Sequence, residues 1–242
     1  MLIVRSVAFN LLFYLNLVLH VIAAIPTFVM PRRVFMVMAR SWGETSNWLL
    51  RIVAGTRVEL RGLEKIPHGA LLVAAKHQSV WETFTLLTLF ADPAYVFKHE
   101  LQYIPIFGWY AWKSDMIPVD RAARGGAVAG MIVRAREELA RGRQIIIFPE
   151  GTRTAPGAPP AYRQGIVQLY VAAGVPCAPI ALNSGVFWPR RRFLRHRGTI
   201  VLEVLDPIPP GLDAQVFSHR LQQVIESATS TLIAEAAAAG TT

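Results

Sequence analysis

The first fifty residues and the rest of the chain carry different patterns of apolar and polar positions. From Val7 to Met30 the run VAFNLLFYLNLVLHVIAAIPTFVM holds no formally charged residue apart from the titratable His20, and its length suits a bilayer core about 30 Å thick. Asn10, Asn16 and His20 interrupt the run and Pro26 breaks it, so it could span, re-enter, or lie in the interface as one arm of a helix pair, and a membrane-embedded helix is expected in preference to a clean span. A cleaved signal peptide would need a basic start and a small-residue cleavage site, whereas only Arg5 precedes the run and no clear A-x-A closes it. Next, Pro31 to Arg51 interleaves Arg32, Arg33, Arg40 and Arg51 with Phe35, Met36, Met38, Trp42 and Trp48. That mixture predicts a helix at the headgroup level, where Arg snorkels and Trp anchors; a helix packed on a soluble domain with Arg on its wet face fits the same spacing. Residues 1–50 are therefore expected to be an attachment segment and residues 51–242 a separate sheet-bearing domain.

From about residue 55 the texture changes to short β-rich runs: TRVELRG, ALLVAAKH, AYVFK, DMIPVD, QIIIFPEG, VPCAPIALNS and GTIVLEVLDPI. Helical patterns and turn residues separate them, and this alternation predicts an α/β fold with a central sheet flanked by helices. One such helix, Ala127 to Arg141, places Val128, Met131, Ile132, Ala135 and Leu139 on one face and leaves Arg134, Glu137, Glu138 and Arg141 to solvent. Another runs from Phe217 to Ala239, with Leu221, Val224, Ile225, Ala228 and Leu232 at helical spacing.

Composition narrows the class. With 53% hydrophobic and 17% charged residues and a mean hydropathy of +0.36, the 242-residue chain is too apolar for a disordered or low-complexity protein. A formal charge of +9 implies an anionic partner. Nucleic acid is one generic candidate for such a charge, but no recognised nucleic-acid motif accompanies the arginines. The single cysteine, Cys177, rules out an internal disulfide framework and a Cys-based zinc site; on an apolar strand it reads as core.

Two segments carry candidate chemistry. His77 and Glu82 in AAKHQSVWETF stand where an apolar strand meets a helical pattern, and strand-to-helix corners of α/β sheets are where sites form. A neutral imidazole there could accept a hydroxyl proton while Glu82 holds its other N–H. Ser79 to Glu82 equally matches a capping box, in which the carboxylate reaches back to the backbone at the helix start. In the second segment, IIIFPEGTRT from Ile145 to Thr154, a buried strand stops at Glu150, Gly151, Thr152 and Arg153. Gly151 permits positive φ, and Arg153 offers a planar fork for phosphate or carboxylate; an ordinary strand-to-loop turn with a local ion pair fits too. Lys98 in VFKHELQYIPIFGW and Arg121 in IPVDR are further cations at strand ends, each readable as an anion ligand or as a solvated end. The stretch PRRRFLRHR, Pro189 to Arg197, has the strongest local charge and suits lipid headgroups or an acidic carrier protein. The loop TAPGAPPAYRQG, Thr154 to Gly165, is either a rim of the donor entrance or a connector.

Taken in order, these segments resemble the glycerolipid acyltransferase family, specifically the bacterial 1-acyl-sn-glycerol-3-phosphate acyltransferases, over roughly residues 55 to 205. The family's His-x4-Asp motif corresponds to His77 and Glu82, its strand-end Arg to Arg121, its Phe-Pro-Glu-Gly-Thr-Arg motif to Phe148 to Arg153, and its apolar Val-Pro-x-x-Pro-Ile strand to Val175 to Ile180. Two departures stand out. Glu82 replaces the usual Asp, adding about 1.5 Å of reach, and Lys76 replaces the Asn that often precedes the His, adding a cation that could lower the His77 pKa or bind phosphate.

The resemblance implies a glycerol-3-phosphate acyltransferase-like fold. It also implies that His77 deprotonates the sn-2 hydroxyl of lysophosphatidic acid, that Glu82 orients the imidazole, that Lys98, Arg121 and Arg153 bind the phosphate, and that Glu150, Gly151 and Thr152 shape or line the acceptor pocket. It implies no metal and no cofactor, with acyl-CoA or acyl-carrier protein as donor, anionic lipids as surroundings, and no nucleic-acid partner. The expected location is the cytoplasmic side of the inner membrane. The competing expectations are acylation of another lysolipid, such as a lyso-ornithine lipid, and a non-catalytic lipid-binding relative.

Overall fold

The computed structural model describes residues 1–120 and 126–240. Helix α1 (Leu2–Ala23) runs into a 3-10 turn, Ile25–Val29, at the proline break, and α2 (Arg32–Leu49) returns from it. These two helices pack against each other as a pair. Their polar interruptions face inward: Asn16 donates to Thr45 Oγ1 at 3.0 Å and Ser46 Oγ at 3.1 Å, and His20 Nε2 meets Ser41 Oγ at 3.3 Å. On the opposite side of α1, Val4, Val7, Leu11, Leu15, Val18 and Ile22 form one exposed apolar stripe. By length and composition alone, Leu2–Val29 could cross a membrane.

A sheet follows: β1 (Thr56–Arg61), β2 (Leu71–Ala75), then α3 (Trp81–Leu89), β3 (Pro93–Lys98), α4 (Phe107–Lys113), β4 (Ile117–Val119), α5 (Gly126–Ala140), β5 (Gln144–Ile147), α6 (Gln164–Ala173), β6 (Cys177–Leu182), a short α7 (Ser184–Phe187), β7 (Gly198–Val204) and α8 (Ala214–Ala238). The strand order is β1-β7-β6-β2-β5-β3-β4, and every neighbouring pair is parallel except β6 with β7. The central strands β2, β5 and β6 are buried along their whole length, as near-continuous Ala, Val, Ile and Leu runs require when both sheet faces are covered. Side-chain alternation then divides the core. Leu71, Val73 and Ile146 pack with Phe9, Phe13 and Phe84 of the N-terminal helices and α3. Leu72, Ala74 and Ile145 pack with Met131, Leu169 and Phe217 of α5, α6 and α8.

The helix pair is thus built into the same core as the sheet. Phe13 meets Trp188 edge-on at 5.2 Å and Phe84 at 5.9 Å, and α2 crosses α3 so closely that a Cβ on Gly43 would lie 2.8 Å from the Phe84 carbonyl oxygen. The arginines between Arg32 and Arg51 divide accordingly. Arg33 and Arg51 are exposed, but Arg40 donates to the Leu87, Phe90 and Ala91 carbonyls at the end of α3, and Arg32 holds Asp92 in a bidentate pair with both contacts at 2.6 Å. Those two serve the fold and are not free for headgroups.

Two further expectations are corrected. Glu138, placed on the wet face of α5 by periodicity, is fully buried, because Arg143 beyond the helix end folds back onto it at 2.8 Å and continues to the Pro93 and Ser114 carbonyls. Arg195, in the basic stretch, is also buried: it stacks over Trp188 at 4.6 Å, donates to Asn10 Oδ1 at 2.9 Å and caps the carbonyls of residues 192 to 194. Desolvation pushes its guanidinium down to about 10.

Candidate active site

In a parallel sheet every strand delivers its C-terminal end to one edge, and the loops leaving that edge meet there. β2 ends at Ala75 and hands on Lys76 and His77; β5 ends at Ile147 and hands on the Phe148 to Thr154 turn; β6 ends at Leu182 and hands on Asn183 and Ser184. The two candidate motifs, 66 or more residues apart in the chain, are joined directly. Thr154 N donates to the His77 carbonyl at 2.8 Å.

His77 Nδ1 lies 2.8 Å from Glu82 Oε1. The same oxygen accepts the Gln78 amide at 2.7 Å and the Ser79 amide at 2.6 Å, while Oε2 accepts Ser184 Oγ at 2.8 Å. Glu82 therefore holds the imidazole and also gathers the two backbone amides that lead into α3. Ser79 Oγ accepts the Trp81 amide, the first of α3, at 3.3 Å. Three N–H groups converge on one carboxylate oxygen, which can only accept when ionised. The proton of the neutral imidazole consequently sits on Nδ1 and leaves Nε2 as the acceptor. Phe148 fixes the ring plane, stacking on His77 with centroids 3.9 Å apart and planes 14° apart. The His77 side chain is 11% exposed, while Glu82 is fully shielded.

The turn after β5 is tight: Gly151 adopts φ +67°, and its amide donates to the Phe148 carbonyl at 2.9 Å. Thr152 is exposed, and Arg190 binds this turn through Thr152 Oγ1 at 3.2 Å and the Arg153 carbonyl at 2.7 Å. The Arg153 guanidinium is partly buried and, among the described residues, makes no hydrogen bond. Desolvation lowers its pKa, opposed by the nearby Glu82 charge and reinforced by Arg190. A desolvated planar cation of this kind favours an anion that supplies paired oxygens.

Glu150 points the other way. Its carboxylate is buried, accepting Lys76 Nζ at 3.0 Å and Thr154 Oγ1 at 2.9 Å. Lys76 is only 3% exposed and also donates to Glu226 of α8 at 2.7 and 2.9 Å, where Tyr162 joins at 3.0 Å. The idea that Lys76 binds phosphate is thereby corrected: both carboxylates hold its ammonium in the interior. Glu150 shapes the turn from beneath. Lys98, at the end of β3, is half exposed, pairs with Glu100 at 2.8 Å and stands opposite Val119 in register. Arg121 lies outside the described residues, two positions beyond Val119. Sequence reasoning did not single out Ser184, Glu226 or the stacking role of Phe148. Only the polar Asn183 and Ser184 at an apolar strand's end gave any signal.

A His–carboxylate pair and, in the turn joined to it, an arginine whose guanidinium makes no hydrogen bond among the described residues stand at the C-terminal edge of a mostly parallel sheet. The Acyltransferase family profile matches residues 57–183, and a 1-acyl-sn-glycerol-3-phosphate acyltransferase of Pseudomonas aeruginosa is 37% identical over 201 residues, 81% of this chain and 77% of that one. The chain belongs to the acyltransferase family. A lyso-ornithine lipid O-acyltransferase of the same organism is 29% identical over 202 residues, 76% of this chain and 77% of that protein. In three dimensions the fold is that of the 1-acyl-sn-glycerophosphate acyltransferase PlsC from Thermotoga maritima, with a TM-score of 0.79, 24% identity, and coverage of 97% of this chain and 98% of that one.

Proposed function

We propose that this enzyme transfers a fatty acyl group from an acyl thioester, acyl-CoA or acyl-carrier protein, to the sn-2 hydroxyl of 1-acyl-sn-glycerol-3-phosphate, forming phosphatidic acid at the cytoplasmic face of the inner membrane. The observation that carries it is the 2.8 Å contact of His77 with Glu82, in a chain whose relative of that name is 37% identical. His77 Nε2 takes the proton of the sn-2 hydroxyl as its oxygen attacks the thioester carbonyl carbon. Glu82 holds the ring in place and balances the imidazolium. The tetrahedral oxyanion collapses, the C–S bond breaks, and the departing thiolate takes the proton back from His77. Arg153, with Lys98 and Arg121, binds the acceptor phosphate; Gly151 and Thr152 line the turn that Glu150 supports from below. The apolar stripe of α1 embeds residues 1–50 in one leaflet while the inner faces of the helix pair stay on the domain.

Purified protein in detergent or anionic vesicles, given labelled lysophosphatidic acid and either donor, is expected to form phosphatidic acid, and His77→Ala is expected to lower kcat by roughly two to four orders of magnitude. Unchanged turnover in His77→Ala would remove the base assignment. Transfer to lyso-ornithine lipid with none to lysophosphatidic acid, in folded protein, would move the assignment to that acceptor.

A further inference from the structure

Between Lys98 and Lys113 the chain passes through a 3-10 turn, His99–Tyr103, into α4 and presents an apolar surface that the fold leaves uncovered. Ile104, Ile106, Phe107 and Trp109 are 42 to 59% exposed, Tyr103 is 70% exposed and Trp112 is 78% exposed. A contiguous exposed patch of this size marks an interaction surface, and its neighbourhood decides the occupant. The inner face of α4 is seated on the N-terminal helix pair. The Tyr110 ring stacks on Phe28 and on Phe35, each at 4.9 Å, and its hydroxyl donates to the Val21 carbonyl at 2.8 Å. The Lys113 ammonium donates to the Phe28 carbonyl at 3.2 Å and the Met30 carbonyl at 2.6 Å. Trp112 is thereby held beside the turn where Val29 is 92% and Met30 42% exposed, and from there the apolar surface continues into the Ile25, Ile22 and Val18 stripe of α1.

We infer that Tyr103 to Trp112 is a second membrane-docking element, lying in the headgroup region as a continuation of the α1 stripe. Tryptophan and tyrosine flanked by lysine are the residues that settle at a bilayer interface, and the chain's net charge of +9 favours an anionic leaflet. Continuity with the α1 stripe selects a bilayer over a protein partner, which would have to cover both surfaces. Because Lys98 begins this segment and β4 follows it, docking here holds the phosphate-binding end of the sheet at the headgroup plane. That consequence rests on the acceptor proposed above, whereas the docking does not.

The test places an environment-sensitive bimane label on Trp112→Cys, on Val18→Cys in α1 and on Val216→Cys, an exposed position of α8. Cys177 is buried and stays unlabelled. With vesicles of phosphatidylethanolamine and phosphatidylglycerol carrying doxyl-labelled lipid, the label at 112 should be quenched as at 18, and that at 216 should not. Quenching at 18 with none at 112 would overturn the inference, as would quenching at neither. The label reads position without turnover, so it also stands if the acceptor assignment fails. In turnover, Phe107→Ser/Trp109→Ser/Trp112→Ser should lose about tenfold or more with lysophosphatidic acid in vesicles and stay unchanged with a short-chain, water-soluble acceptor. An equal loss with both acceptors would count against docking.

Discussion

At the scale of single residues, Glu82 does two jobs that sequence alone presents as alternatives. One carboxylate oxygen accepts the imidazole and two backbone amides, and the other accepts Ser184. Glu82→Gln keeps the side-chain volume but replaces an ionised acceptor with an amide that no longer balances a protonated imidazole. It is expected to lower kcat by roughly a hundredfold or more, read from initial rates, with the far-UV spectrum unchanged. Wild-type rates in this variant would reduce the carboxylate to a cap. The second oxygen of the longer Glu is met by Ser184, at the start of α7 just beyond β6.

At the scale of elements, the N-terminal helices are fixed to the sheet by ion pairs as well as apolar packing. Arg32 at the start of α2 grips Asp92 just before β3, and Arg143 before β5 reaches the same carboxylate at 3.3 Å. Burial works to raise the Asp92 pKa, but the Arg32 hydrogen bonds and the charges of Arg143 and Arg32 outweigh it, and the carboxyl ends below its ordinary value. A carboxyl depressed in the folded state contributes stability that is present above its unfolded pKa, about 3.9, and lost as pH falls through the folded value. Because the pair is partly exposed, Asp92→Asn should cost only about 1 kcal/mol at neutral pH. The measurement is Tm against pH from neutrality into acid: the gap between wild type and variant should close as the pH drops below that of an ordinary carboxylate, and a constant gap would show that the pair does not titrate with folding.

Across the whole molecule, the C-terminal helix reaches the active edge through Lys76. The ammonium joins the residue before His77, the Glu150 turn after β5, and Glu226 of α8. Removing the cation leaves two carboxylates facing each other in the interior, so Lys76→Met is expected to lose about 3 kcal/mol or more in denaturant unfolding. Lys76→Met/Glu150→Gln should regain part of that loss, and a double variant no more stable than the single one would mean the cluster is not electrostatically coupled.

Much of this architecture was legible in the chain itself. Seven β-rich runs became seven strands, because an uninterrupted Val, Ile and Leu run such as Gln144 to Ile147 is stable only inside a covered sheet. The start of α8 lay three residues earlier than its apolar spacing suggested, since Asp213 caps it through the Gln215 amide at 2.8 Å. His77, Glu82 and Arg153 were identifiable as candidates because the roles proposed for them call for an imidazole, a carboxylate and a guanidinium fork, residue types with few substitutes. What the sequence could not decide was which distant groups share a space. Ser184 closes on Glu82, Lys76 turns inward to Glu226, and Arg195 and Glu138 leave the wet faces their spacing assigns them. Those outcomes depend on strand order: the sheet sets β2 between β5 and β6, and only that adjacency brings residues 70 to 150 positions apart within hydrogen-bonding reach.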